Sequence, residues 1–297
     1  MPLTMFIQDR MLSSWSLRAH LVMEIAGLPH ELRQMPGGDP AFAAKMQAAA
    51  APAITVPTLT GEGGLIAWDS LALTETLAEM APDAPIWPGD RVARAWARSL
   101  AAEMHSGFAG LRGACPMNLS LVYERIAPAG DVAASVAADV ARIEALWALT
   151  RARFGAGGPW LFGATFTAAD AFFAPVAARF ITYGLGEGAE TRAYCAAIIA
   201  HPGFRRWRAM GVAEGAPSPR YDLPLARGPW PGPAIIPAEA TEAGPAINAA
   251  CPYSGKPVAA GSLARIDGRV IGFCNPFCRD KSVADPGAWP KLAPLLA

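Results

Sequence analysis

The sequence predicts three parts in order: an α/β domain, an all-helical domain, and a small C-terminal unit of hairpin and helix. Strand-length apolar runs alternate with helix-periodic stretches over residues 1–82, whereas from residue 90 the period is helical only. A proline-rich stretch at 212–247 then precedes residues 248–297, which hold three of the chain's five cysteines.

Residues 3–8 (LTMFIQ) read as a buried strand. After a serine-containing loop, Leu17, Leu21, Val22 and Ile25 recur at helical spacing and stop at Gly27. Residues 30–35 suit a second strand and 40–50 an alanine-rich helix. Thr55 to Leu59, the glycine-rich turn at 61–64 and a strand through Ile66 suggest a hairpin, and a further helix opens at Asp69. The order is β-α-β-α-β-β-α, and strands separated by helices imply parallel pairing. Further on, Val132, Val136, Val140, Ile143 and Trp147 mark one face of a long helix. Thr167-Ala168-Ala169-Asp170 is a capping box that opens another. His201-Pro202-Gly203 breaks the chain before a short Arg/Trp helix. Residues 212–247, with eight prolines and no period, read as an irregular linker or a tail on the helical domain.

Bulk composition narrows the function classes. Of 297 residues, 53% are hydrophobic and 17% charged, so the chain can bury a large core. Basic and acidic residues both number 25, a balance that points to neither nucleic acid nor a membrane surface as partner. The opening residues lack a basic leader, and no apolar run reaches the roughly 18–20 residues that span a bilayer. An odd cysteine count without a secretion signal argues for a reducing, cytoplasmic compartment with free or metal-bound thiols.

The βαβ-ββα domain followed by helices resembles the glutathione transferase superfamily, in which a thioredoxin-like α/β domain precedes an all-α domain. Four local features over residues 1–210 carry the resemblance. Ser13-Ser14-Trp15-Ser16-Leu17-Arg18 is similar to the serine-led loop of zeta-class and related bacterial transferases, with Trp15 where the zeta pattern has cysteine. Val56-Pro57 falls where the family has its cis-proline. Asp69-Ser70 falls where it has an acidic residue and a serine. Thr167 to Asp170, after Trp160-Leu161-Phe162-Gly163, resembles the family's folding motif. The divisions implied are 1–82 for the glutathione-binding domain and 88–211 for the helical domain. The resemblance also implies glutathione as substrate, a small electrophile as its partner, and a homodimer.

The chemistry implied is activation of a thiol. A thiol of pKa about 8.5 is mostly protonated at neutral pH, and only the thiolate is a good nucleophile. Lowering it by two units takes about 2.7 kcal/mol. One hydrogen bond to a charged group supplies about 1.5–3 kcal/mol, and a helix N-terminus about 0.3–1 kcal/mol more. A serine hydroxyl at the start of the first helix therefore suffices. Ser13 is the first candidate, because Ser13-x-x-Ser16 falls on the Cys-x-x-Cys position of thioredoxin-like folds, and Ser14 is the second. Without a thiol between residues 10 and 18, the loop cannot run disulfide exchange. A cis Val56-Pro57 bond would present the Val56 backbone to the cysteinyl part of glutathione, while Asp69 and Ser70 would meet its γ-glutamyl group. Met104-His105-Ser106 and Arg112 are expected on the first helix of the helical domain. With Trp15, His105 and Arg112 would wall the second-substrate pocket and could bind an anionic substrate. Their spacing of seven would put them on one helix face.

Cys251, Cys274 and Cys278 form a Cys-x22-Cys-x3-Cys pattern around a predicted hairpin, 265–271, with an Asp267-Gly268 turn. A short helix is expected near Pro276. The segment 248–290 resembles the TRASH/YHS group of small metal-associated modules. Soft thiolates at this spacing suit zinc or copper(I), and so small a unit has a marginal core that a metal would staple. Ser254 stands where many relatives have a further cysteine. Cys115 and Cys195 lie in apolar contexts and read as core residues. Two functions follow: a glutathione transferase-like enzyme, or a glutathione-fold protein that senses or carries soft metals.

Overall fold

The computed structural model describes residues 2–35, 37–123, 130–215, 218–232 and 236–297. Met1 and five positions of the 212–247 segment lie outside these, and so does the side chain of Val132. The chain forms two compact units, one of residues 1–199 and 218–230, the other of residues 200–217 and 231–297.

The first unit opens with β1 (Leu3–Ile7), α1 (Ser14–Ala26), β2 (His30–Gln34), α2 (Phe42–Ala50), β3 (Thr58–Thr60), β4 (Ile66–Trp68) and α3 (Ser70–Met80). The sheet order is β2-β1-β3-β4, with β1 parallel to β2 and antiparallel to β3. This is the expected β-α-β-α-β-β-α arrangement. The helix ends are set locally. Ser13 caps α1 by accepting from the Ser16 N–H, and Gly27 closes it at φ 65°, a left-handed position that glycine occupies without a Cβ penalty.

Helices α4 (Arg91–Ser106), α5 (Ala109–Ala114), α6 (Gly130–Phe154), α7 (Ala168–Tyr183) and α8 (Ala189–Ala200) follow. The region is not purely helical, because β5 (Leu121–Tyr123) pairs antiparallel with β6 (Arg227–Pro229) from the segment expected to be irregular. Nearly every residue of α7 is buried, and Trp147 of α6 packs against Phe173, Phe180 and Tyr194. Val136, Ile143 and Trp147 are buried on one face of α6, as their spacing requires. The capping box forms: Asp170 is fully buried and accepts from the Thr167 N–H at 2.9 Å, the Thr167 hydroxyl at 3.0 Å, the Leu161 N–H at 3.0 Å and the Tyr194 hydroxyl at 3.0 Å.

The second unit contains α9 (Pro202–Ala213), β7 (Ala238–Thr241), β8 (Leu263–Ile266), β9 (Arg269–Gly272), α10 (Pro276–Ala284) and α11 (Ala293–Leu296). The predicted hairpin is β8–β9, turning at Asp267 (φ 48°) and Gly268 (φ 76°). Its sheet gains an edge strand, β7, from the proline-rich segment. Ala264, Ile266, Ile271, Phe273, Trp289 and Leu292 form a core with Ala209 of α9, and Arg205 of α9 grips Asp285 through two nitrogens, its Nε at 2.8 Å. No helix among the described residues is long and apolar enough to cross a membrane.

Candidate functional site

Strand register gathers the expected site residues at one end of the first sheet. Phe6, near the C-terminal end of β1, pairs with Thr58 at the start of β3, which pairs with Trp68 at the end of β4. The Ser13–Ser14 loop follows β1, Val56-Pro57 precedes β3, and Asp69-Ser70 follows β4. In open α/β sheets this end, beyond the strand termini, is where ligands collect.

At the first position, Ser13 Oγ accepts from the Ser16 N–H at 3.3 Å and donates to Ser16 Oγ at 2.9 Å, which in turn accepts from the Gln8 N–H at 3.1 Å. Ser14, the first residue of α1, is buried. Two serines thus stand at the positive end of a 13-residue helix. At the second position, the Val56–Pro57 bond is cis, and the Val56 backbone N–H and C=O have no hydrogen-bond partner among the described residues.

The third position shows the strongest departures from ordinary chain behaviour. Asp69 caps α3, accepting from the Leu71 N–H at 2.8 Å, yet sits at φ 80°, ψ 136°. A non-glycine residue there costs on the order of 1–3 kcal/mol and persists only where its surroundings hold it. Next to it, Ser70 is fully buried and its hydroxyl has no partner among the described residues. Leaving such a group unsatisfied costs about 1–3 kcal/mol.

Trp15, His105 and Arg112 converge, though not by the route the spacing implied. Arg112 is not on the helix of His105: α4 ends at Ser106, Gly107 and Phe108 (φ 57°) break it, and Arg112 lies on α5. The break folds α5 back, so Arg112 Nη1 donates to the His105 and Gly107 carbonyls, each at 3.1 Å. The Arg112 guanidinium stands 5.0 Å from the Trp15 ring centre, and the His105 ring meets Trp15 edge-on at 5.2 Å. His105 Nε2 is 3.3 Å from Asp69 Oδ2, while its Nδ1 is buried without a partner among the described residues. Burial pushes the His105 imidazole down, Asp69 opposes this, and Arg18 and Arg112 add to the lowering.

Sequence reasoning overlooked Arg18. It is fully buried, with its guanidinium 4.2 Å from the Trp15 ring centre and 5.3 Å from that of Phe172. The available signal was its position: three residues before Leu21 and four before Val22, it lies on the apolar face of α1.

In the second unit, the sulfurs of Cys251, Cys274 and Cys278 all lie within 4.8 Å of one another, and those of Cys274 and Cys278 are 4.0 Å apart. Zinc–thiolate bonds of about 2.3 Å set sulfur–sulfur edges of about 3.8 Å in a tetrahedron, so the three fit a soft ion with a small contraction. The sulfurs also have donors. Cys274 accepts from the Ser254 hydroxyl at 3.2 Å and the Asn275 amide at 3.3 Å. Burial alone would raise the Cys251 thiol. The N–H groups of Ser254, Cys274 and Tyr253 and the Ser254 hydroxyl outweigh it and bring the thiol to about 6. Ser254 thus serves as a donor to sulfur. Cys115 and Cys195 are buried, and burial pushes their thiols up to about 11 and about 12.

Two family descriptions match this sequence: the glutathione S-transferase N-terminal domain over residues 12–80 and the glutathione S-transferase C-terminal domain over residues 131–209. No curated protein matches it significantly. Among solved structures, a glutathione transferase homologue from Burkholderia, with bound glutathione, superposes at a TM-score of 0.53 with 22% identity, over 73% of this chain and all (100%) of that one. The trimeric glutathione transferase TDR1 of Leishmania gives 0.56 with 16% identity, over 72% of this chain and 46% of that one. Glutathione transferase Omega 3C of Trametes versicolor gives 0.53 with 17% identity, over 70% and 88%. At these identities the structural likeness speaks for the fold, and the family matches speak for the domains. Residues 12–80 and 131–209 therefore match the N-terminal and C-terminal domain descriptions of glutathione S-transferases, and the chain shares its fold with solved glutathione transferases.

Proposed function

We propose that this protein is a glutathione transferase that activates the glutathione thiol with a serine hydroxyl at the start of α1, for attack on a small electrophile. One observation carries the reading. The buried Ser70 hydroxyl lacks a partner among the described residues beside the strained Asp69 cap, at the sheet end where Ser13 and Val56 also lie. A γ-glutamyl group held at the N-terminus of α3 would satisfy Ser70 and use the positive end of that helix. The free Val56 N–H and C=O suit the backbone of a bound peptide. Ser13 is the first choice as thiolate donor and Ser14 the second. Ser13 would exchange its bond to Ser16 for one to the sulfur. Trp15, His105 and Arg112 wall the second-substrate pocket. Residues 1–82 are the glutathione-binding domain and 88–211 the helical domain, and the protein works as a cytoplasmic homodimer, in keeping with the superfamily. Titration calorimetry tests the core of the reading: saturable glutathione binding at millimolar concentration or below is expected, and heat equal to buffer dilution would sink it.

The sulfur cluster supports a second role. The TRASH/YHS-like segment 248–297 would hold one zinc or copper ion through Cys251, Cys274 and Cys278. The ion would act as a structural cross-link for a small core.

A further inference from the structure

The three sulfurs of the second unit differ in their surroundings. Cys251 is buried, and the N–H groups of Tyr253, Ser254 and Cys274 fix its sulfur. Cys274 and Cys278 are half-buried, so a reagent in solution reaches these two before Cys251, Cys115 or Cys195. Their sulfurs stand 4.0 Å apart, in van der Waals contact. A disulfide bond is about 2.05 Å long, so closing one here takes roughly 1 Å of travel by each sulfur. Little regular structure resists that travel. Cys274 lies in the corner between β9, which ends at Gly272, and α10, which starts at Pro276. Asn275 caps α10 by accepting from the Cys278 N–H at 2.8 Å, and its amide donates to Cys274 Sγ at 3.3 Å. The Ser254 hydroxyl donates to the same sulfur at 3.2 Å. Two side chains thus hold Cys274 Sγ in place beside Cys278.

We propose that Cys274 and Cys278 form a reversible dithiol–disulfide couple that exchanges with small-molecule disulfides, a chemistry for which the serine loop of the first unit has no thiol. The Cys274 thiolate attacks one sulfur of the oxidant, whose S–S bond breaks, and the first small thiolate leaves with the electron pair. The Cys278 thiolate then attacks Cys274 Sγ, the mixed disulfide breaks, and the second small thiolate leaves. The protein dithiol is oxidised by two electrons, the small disulfide is reduced to two thiols, and these take up the two protons. The ring runs only from Cys274 to Cys278. So short a ring gains little from chain entropy, and excess thiol therefore opens it again. While the disulfide stands, Cys251 is left as a single thiol and the three-thiolate set that an ion would need is lost. The couple rests on neither the transferase nor the metal reading.

The test uses the full-length protein, reduced, stripped of metal with a chelator and incubated with millimolar glutathione disulfide. The reaction is quenched with acid, free thiols are alkylated under denaturing conditions, and the peptides are mapped by mass. The wild type should lose two thiols, carry a Cys274–Cys278 cross-link, release two glutathiones per chain and recover both thiols in excess glutathione. Cys251, Cys115 and Cys195 should stay alkylable. Cys278→Ser should stop at the glutathione adduct on Cys274 and hold about tenfold more of it than the wild type, whose adduct is resolved within the chain. Cys251→Ser should still close the ring. If Cys278→Ser does not fold, the wild-type cross-link map decides alone. No thiol loss, an adduct that persists in the wild type, or a cross-link through Cys251 would overturn the proposal. Zinc added before the disulfide keeps the readings apart, since a bound thiolate is not free to attack. Closure slowed by about tenfold or more supports both readings. Closure at an unchanged rate supports the couple and sinks the metal reading, whereas zinc uptake by a protein that never closes the ring sinks only the couple.

Discussion

Replacing Ser13 with alanine separates its two roles. The hydroxyl caps α1 through the Ser16 N–H, and loss of such a cap costs about 1 kcal/mol, lowering Tm by about 2–4 °C in a unit of this size. The catalytic loss has a different signature. If one hydroxyl holds the bound thiol about two pH units below 8.5, its removal returns the thiol to about 8.5. At pH 6.5 the thiolate fraction then drops from about one half to about one in a hundred. A thiolate of higher pKa is a better nucleophile, with a Brønsted slope of about 0.4–0.5, which recovers about six- to tenfold. The variant should therefore be about five- to eightfold slower at pH 6.5 and faster than wild type at pH 9.5, so the two kcat–pH profiles cross. Stopped-flow or steady-state conjugation at saturating glutathione reads this directly, with KM for glutathione little changed. A loss uniform across pH would refute the thiolate argument. A fall in Tm with unchanged turnover would leave Ser13 as a cap only, and greater harm from Ser14→Ala would move the role one residue along.

Asp170→Ala strands four donors in a fully buried place. Leaving a buried donor unsatisfied costs about 1–3 kcal/mol, so urea unfolding should show a large fall in midpoint. A change no larger than that of an ordinary surface substitution, about 0.5 kcal/mol, would contradict the role assigned to it. Elemental analysis after zinc or copper(I) loading should find about one ion per chain, lost in Cys274→Ser. Binding should weaken as pH falls, because thiols must lose protons to ligate, and three freely reactive thiols in loaded wild type would leave the segment metal-free. Burial raises the Cys195 thiol to about 12, so the folded chain keeps a proton that the unfolded chain loses above about 8.5. That contribution to stability is complete below about 8.5 and is lost as pH rises toward 12, so Cys195→Ala should flatten the alkaline decline seen by urea unfolding at pH 8 and pH 10.

Much of this protein was legible in sequence because its signals are local. Apolar period and caps placed β1 to α3 in order, and Ser13, Asp69 and Thr167 each hold the N-terminus they were expected to hold. Asp267-Gly268 turns the hairpin, since its backbone angles are a property of two adjacent residues. Cysteine spacing around that hairpin anticipated the cluster. The tertiary structure decided what depends on distant parts of the chain. Strands β5 with β6 and β7 with β8 pair across long separations, and their short proline-rich partners carry no period to read. Arg112 reaches His105 because the chain breaks at Gly107 and Phe108 and folds back, which helical spacing does not encode. Ser70 and Arg18 are ordinary letters in the sequence. Their missing partners are defined only by what surrounds them, because burial and hydrogen-bond satisfaction are properties of the packed neighbourhood.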